Sequence, residues 1–312
     1  MNYSNDNKIW RVGGPLLVYL GINFVVQLVF SIMIFYVQFN EWSIDAAFNG
    51  LMYAEQLNAS AQMYTLAMTG VSALISIPIF VWLMKKDYEY PINKRHKERS
   101  FDCRVHAKKL DIKTIPLLAL AGIFATFGVS RLILILPLDG ILGDYSQVKA
   151  TYEAGGVWLQ IIALGILSPI VEELLFRGLV YKRLKVYYDT IISAYISAII
   201  FGVAHFNLIQ GLYAFVMDIA FSFIYERCKN IYGPIIVHIV ANLTTVISGI
   251  NPISSWIDRH IWIKLPLALV ETVLFIKIVY AIYKKTDAKD GDEDESDKED
   301  VNEEIHKIDF SI

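Results

Sequence analysis

VWLQIIALGILSPIVEELLFRGLVY, residues 157–181, is long and apolar enough to cross a bilayer, yet it holds Glu172, Glu173 and Arg177 in its second half. A helix needs roughly 20 residues to span about 30 Å of hydrocarbon, and an ionisable side chain near its centre costs roughly 2.5–3.5 kcal/mol. Three such groups in one span point to work done inside the membrane. Working outward, comparable runs occur at 15–37, 63–84, 115–137, 191–206, 212–225, 231–250 and 265–283, about eight spans in all. The fifth and sixth are short and nearly meet at 207–211. The expected fold class is all-α, a polytopic membrane protein. Apolar residues make up 55% of the 312 positions and mean hydropathy is +0.45, which excludes an ordinary soluble domain.

A net charge of −3 hides a strong asymmetry. Lys8 and Arg11 precede the first span, a basic cluster from Lys85 to Lys113 follows the second, and Lys182, Arg183 and Lys185 follow the fourth. Arg227 and Lys229 follow the sixth, and Lys284 and Lys285 the eighth, whereas the opposite loops carry only Lys149, Arg259 and Lys264. Because loops rich in Lys and Arg stay cytoplasmic, both termini are expected on the cytoplasmic side of the cell membrane. The first span is too long for a signal-peptide core and is expected to remain as an anchor. Four regions follow: 1–114 with two spans and the basic loop, a core at 115–250, a last span at 251–285 and a tail at 286–312. The DGDEDESDKED run in that tail reads as disordered, and 38–62 as a loop with a short interfacial helix. Two cysteines, Cys103 and Cys228, lack metal-type spacing and sit away from the polar spans.

Polar residues with company fall in three spans: Glu172, Glu173 and Arg177 in the fourth, His205 in the fifth, His238 and Asn242 in the seventh. Counting inward at about 1.5 Å per residue puts Glu172 about 15 Å below Lys182, and His238 at a similar depth below Lys229. Glu172 and His205 are also about equally far from Tyr188–Asp189, so an antiparallel hairpin brings them face to face. His238 and Asn242 share a helix face, as do Phe201 and His205. Glu173 and Arg177 have ion-pair spacing, which leaves Glu172, rotated by about 100°, to face elsewhere. Pro169 is placed to bend the helix and admit water. A carboxylate and an imidazole around one water suit hydrolysis, with a second imidazole and a carboxamide N–H donating to an oxyanion.

Glu172-Glu173-x-x-x-Arg177, Phe201-x-x-x-His205 and His238-x-x-x-Asn242, in that order on membrane helices, resemble the three motifs of the CPBP family. These are the CAAX proteases and bacteriocin-processing enzymes, also called Abi, and they include the type II CAAX prenyl endopeptidase. The resemblance covers roughly residues 115–250. It implies an eight-helix intramembrane endopeptidase in which Glu172 and His205 activate water and His238 and Asn242 bind the oxyanion, supported by Glu173, Arg177 and Phe201. Members have been described both as metalloproteases and as glutamate-dependent enzymes. The spacing leaves zinc on Glu172, His205 and His238 open, with a metal-free mechanism favoured.

The expected partners are the bilayer and a membrane-associated substrate: a lipidated CAAX-like protein, a leader peptide or a membrane-embedded protein. Nucleic acid is not among them. The competing reading is a non-catalytic bacteriocin-immunity or scaffold protein of the same fold. A transporter comes third, because no inverted repeat accompanies the buried charges. Asp218, Arg131, Glu271 and Lys277 fall outside the motifs. Each is expected to serve structural pairing or, for Arg131 and Lys277, to snorkel, with Asp218 the one expected to support the site.

Overall fold

The computed structural model describes residues 8–40, 50–89, 109–136 and 156–306, with side chains for 8–37, 64–87, 109–136 and 156–286. It is an all-α, multi-pass membrane protein. We number the helices α1 (Lys8–Asn40), α2 (Gly50–Glu89), α3 (Ile112–Ile135), α4 (Val157–Leu184), α5 (Thr190–Val203), α6 (Leu208–Cys228), α7 (Tyr232–Ile250), α8 (Pro252–Arg259) and α9 (Ile261–His306). Among the described residues seven are long and apolar enough to cross a membrane; α5, with 14 residues, and α8, with 8, are too short, and α6 is longer than its apolar run suggested.

Outward faces are apolar, as a lipid solvent requires: Phe24, Leu28, Ile32 and Phe35 on α1 are all exposed. The interior carries the polar groups. There α7 packs against α3, α4 and α6, α2 covers α4, and α9 lies on α3. Gly122 marks a tight backbone approach, where a Cβ would lie 2.5 Å from the Val237 carbonyl oxygen and 2.9 Å from Val240 Cβ. Small residues permit this because close packing and hydrogen bonds, rather than hydrophobic collapse, hold helices together in lipid. Gly122→Val is therefore expected to lower the thermal midpoint in detergent, by at least the roughly 1–3 kcal/mol typical of overpacking. An unchanged midpoint would show that α3 can move away from α7 at no cost.

The α5–α6 hairpin uses the same device, with Gly202 and Gly211 so close that a Cβ on either would meet the other's carbonyl oxygen. Asp189 and Asn207 cap the two helices by accepting from Ile192 N–H and Gln210 N–H. Between them, Phe206 takes the left-handed conformation, φ 53°, immediately after His205.

One expectation needs correction. The helix of α2 begins at Gly50 and runs unbroken into the span, so 50–62 is not a separate interfacial helix, while 41–49 lie outside the described residues. The backbone of α9 continues as helix to His306. Arg131 takes the first of its two expected roles, structural pairing. It is buried and held by Glu271, with Nη1 2.9 and 3.0 Å from the two carboxylate oxygens, and by Asp258 at 3.2 Å from Nε. Two carboxylates close by offset the desolvation that would otherwise drive a cation outward. Lys277 is exposed on α9.

Candidate active site

Helix α4 is not a uniform α-helix. Its segments Gln160–Leu167 and Phe176–Tyr181 are π-helical, and the α-helical stretch between them, Ser168–Leu175, carries Glu172 and Glu173. A π register widens the turn and turns successive side chains away from 3.6-residue spacing, a feature common at functional sites. Ser168 N–H donates to Ala163 O, five residues back. The next carbonyl in that register, Leu164 O, would need an N–H from Pro169, which has none. Asn242 Nδ2 fills the gap at 2.9 Å, so α7 is fastened to α4 where the helix changes pitch. A carboxamide has two N–H donors, and the second remains for another acceptor.

Glu173 and Arg177 form the ion pair their spacing suggested, at 3.0 Å with both side chains fully buried. Arg177 is held further by α6, where Nη2 donates to Asp218 O at 2.9 Å and lies 2.7 Å from Asp218 Oδ1. The guanidinium also sits over the rings of Phe201 and Phe221. Glu173 does more than pair, because its Oε1 is 2.7 Å from His238 Nδ1. A carboxylate accepts, so Nδ1 carries the proton and the ring is turned with Nε2 toward Glu172 Oε2, 3.6 Å away. Phe221 stacks on His238 at 4.7 Å between centroids and fixes the ring plane.

Glu172 faces a cavity of about 780 Å³ that His205, His238, Asn242 and Phe201 also line. Ser168 Oγ donates to its Oε1 at 2.5 Å. Ser168 was missed in the sequence, although its i, i+4 spacing to Glu172 was legible there. In His205, Nδ1 donates to Phe201 O at 2.8 Å, which leaves Nε2 of the neutral ring as the acceptor. Phe201 packs edge-on against His205 and, at longer range, His238. All four residues assigned to chemistry, and the three assigned to support, thus meet at or beside one chamber, with Asp218 joining from α6. Among the described residues, no three His, Cys, Asp or Glu side chains converge closely enough to hold a metal ion. As placed, Glu172, His205 and His238 do not form the zinc set left open by their spacing. Cys228 is buried away from the chamber, and Cys103 lies outside the described residues.

The motif resemblance is borne out over the part of the chain that builds this site. Residues 154–244 match the family described as type II CAAX prenyl endopeptidase Rce1-like. A Bacillus subtilis (strain 168) protein named "Putative membrane peptidase YdiL" is 33% identical over 102 residues, which is 33% of this chain. The matched segment spans 42% of that relative's length. No solved structure matches the chain.

Proposed function

We propose that the chain is an intramembrane endopeptidase of the cell membrane, with both termini cytoplasmic, that hydrolyses a peptide bond of a lipidated CAAX-like, leader-peptide or membrane-embedded substrate without a bound metal. The observation that carries this reading is the division of protons around one chamber. Glu172 is an acceptor steadied by Ser168, His205 presents a lone pair at Nε2, and His238 and Asn242 bring N–H groups from the facing helix. Glu172 and His205 take a proton from water as its oxygen attacks the scissile carbonyl. The oxyanion accepts from the second Asn242 N–H and from His238 Nε2–H, which requires the imidazolium, with Glu173 as its counter-ion. The proton then passes to the leaving amine as the C–N bond breaks. The family match over 154–244 supports a membrane protease.

Purified protein incubated with a quenched prenyl-CAAX peptide and a panel of leader peptides is expected to cleave at least one of them, equally well with and without a chelator. Loss on chelation and recovery with zinc would overturn the metal-free mechanism. Folded protein that cleaves none would favour the non-catalytic alternative.

A further inference from the structure

Contacts between helix ends fix which ends share a membrane face. Arg183, at the end of α4, pairs with Asp87 at the end of α2 and donates to Arg11 O at the start of α1. Lys185 pairs with Glu226 near the end of α6, and the Arg227 guanidinium lies over Tyr283 of α9. Lys285 of α9 approaches Asp111 at the start of α3. The basic ends of six spans therefore form one face, which the charge rule places in the cytoplasm.

The chamber closes toward that face. Immediately below Glu172 and His238 lie the fully buried Glu173–Arg177–Asp218 cluster and then Leu179, Tyr181 and Ile224, each at 0% exposure. Nothing on α4 beyond Glu172, or on α6 beyond Phe221, reaches the cavity wall. Toward the other face the wall continues through Gln160 of α4, Arg131 and Leu134 of α3, and Ile250 of α7. It ends at α8, where Ser255 and Arg259 line it, with Leu134, Ile250 and Arg259 exposed.

We infer that the active-site chamber is sealed from the cytoplasm and open to the extracytoplasmic side, so that its substrate is a peptide segment of an exported or outer-leaflet-anchored protein. A cytosolic prenylated tail would meet the sealed end. Polar side chains at the mouth, Ser255, Arg259 and Lys264 among them, suit a hydrated peptide backbone entering there. The inference rests on the peptidase reading for the nature of its substrate, but not for its sidedness.

Single cysteines in a Cys103→Ser, Cys228→Ser background separate the two. Ser255→Cys at the mouth is expected to react with a membrane-impermeant maleimide in intact cells, and Lys284→Cys only in inverted vesicles. Arg259→Cys serves as a second mouth position if Ser255→Cys does not accumulate. Labelling of the mouth positions lost in intact cells and gained in inverted vesicles would overturn the sidedness whatever the activity. The expected pattern in a protein that cleaves nothing would retain the sidedness and remove only the peptidase reading. The labelled Ser255→Cys protein should also lose turnover relative to the same variant unlabelled, and full turnover after complete labelling would overturn substrate entry through this mouth.

Discussion

Replacing Glu172 with Gln is expected to lower turnover by roughly 10²–10⁴ while leaving the protein folded. Gln keeps the length and still accepts from Ser168 Oγ, so the local geometry at 2.5 Å has a partner. What disappears is the basic oxygen that the proposed mechanism assigns to receive a proton from water. Little stability is at stake, because Glu172 keeps partial access to the chamber whereas Glu173 beside it has none. The measurement is kcat against a cleaved peptide, with the thermal midpoint in detergent alongside. Activity in Glu172→Gln within about tenfold of the parent would remove Glu172 from the proton-transfer step. Glu172→Asp retains the acid but withdraws it by one methylene, and should fall between the two, because displacement of a reacting group by about 1 Å can cost roughly 10²-fold.

The apolar runs made the membrane fold legible, since a stretch of that length has few other uses. Depth counting placed Glu172 and His238 level, and they lie 3.6 Å apart. Helical spacing paired Glu173 with Arg177 and Phe201 with His205. What stayed hidden depends on contacts between distant segments or on helical pitch. No local pattern joins Arg131 to Glu271, 140 positions away, or Asp218 to Arg177. The π segments flanking Ser168–Leu175 have no fixed sequence signature. Without them, neither the orphaned Leu164 carbonyl nor the purpose of Asn242's hydrogen bond to it can be anticipated. The i, i+4 spacing pairs Glu173 with Arg177 and says nothing of α7, yet Glu173 is also the group that orients His238.

That double duty makes Arg177 the residue whose loss should cost the fold most. Arg177→Leu would leave Glu173 and Asp218, both fully buried, without their shared cation. Breaking a buried pair in this way costs roughly 3–5 kcal/mol, because the charge left behind keeps its desolvation penalty and loses its partner. Arg177→Lys should recover only part of this, since a single ammonium does not match a fork that reaches α4 and α6 together. A neutral triple variant, Glu173→Gln with Arg177→Leu and Asp218→Asn, removes the stranded charges and is expected to restore most of the thermal midpoint. Its turnover should stay low. The His238 Nδ1–H would then donate to a carboxamide rather than a carboxylate, and the ring would lose the counter-ion that supports donation from Nε2 to an oxyanion. A triple variant that is both stable and fully active would show that the cluster serves packing alone. Recovery of stability without activity would establish Glu173 as the positioning residue for His238, with Arg177 and Asp218 holding it in place.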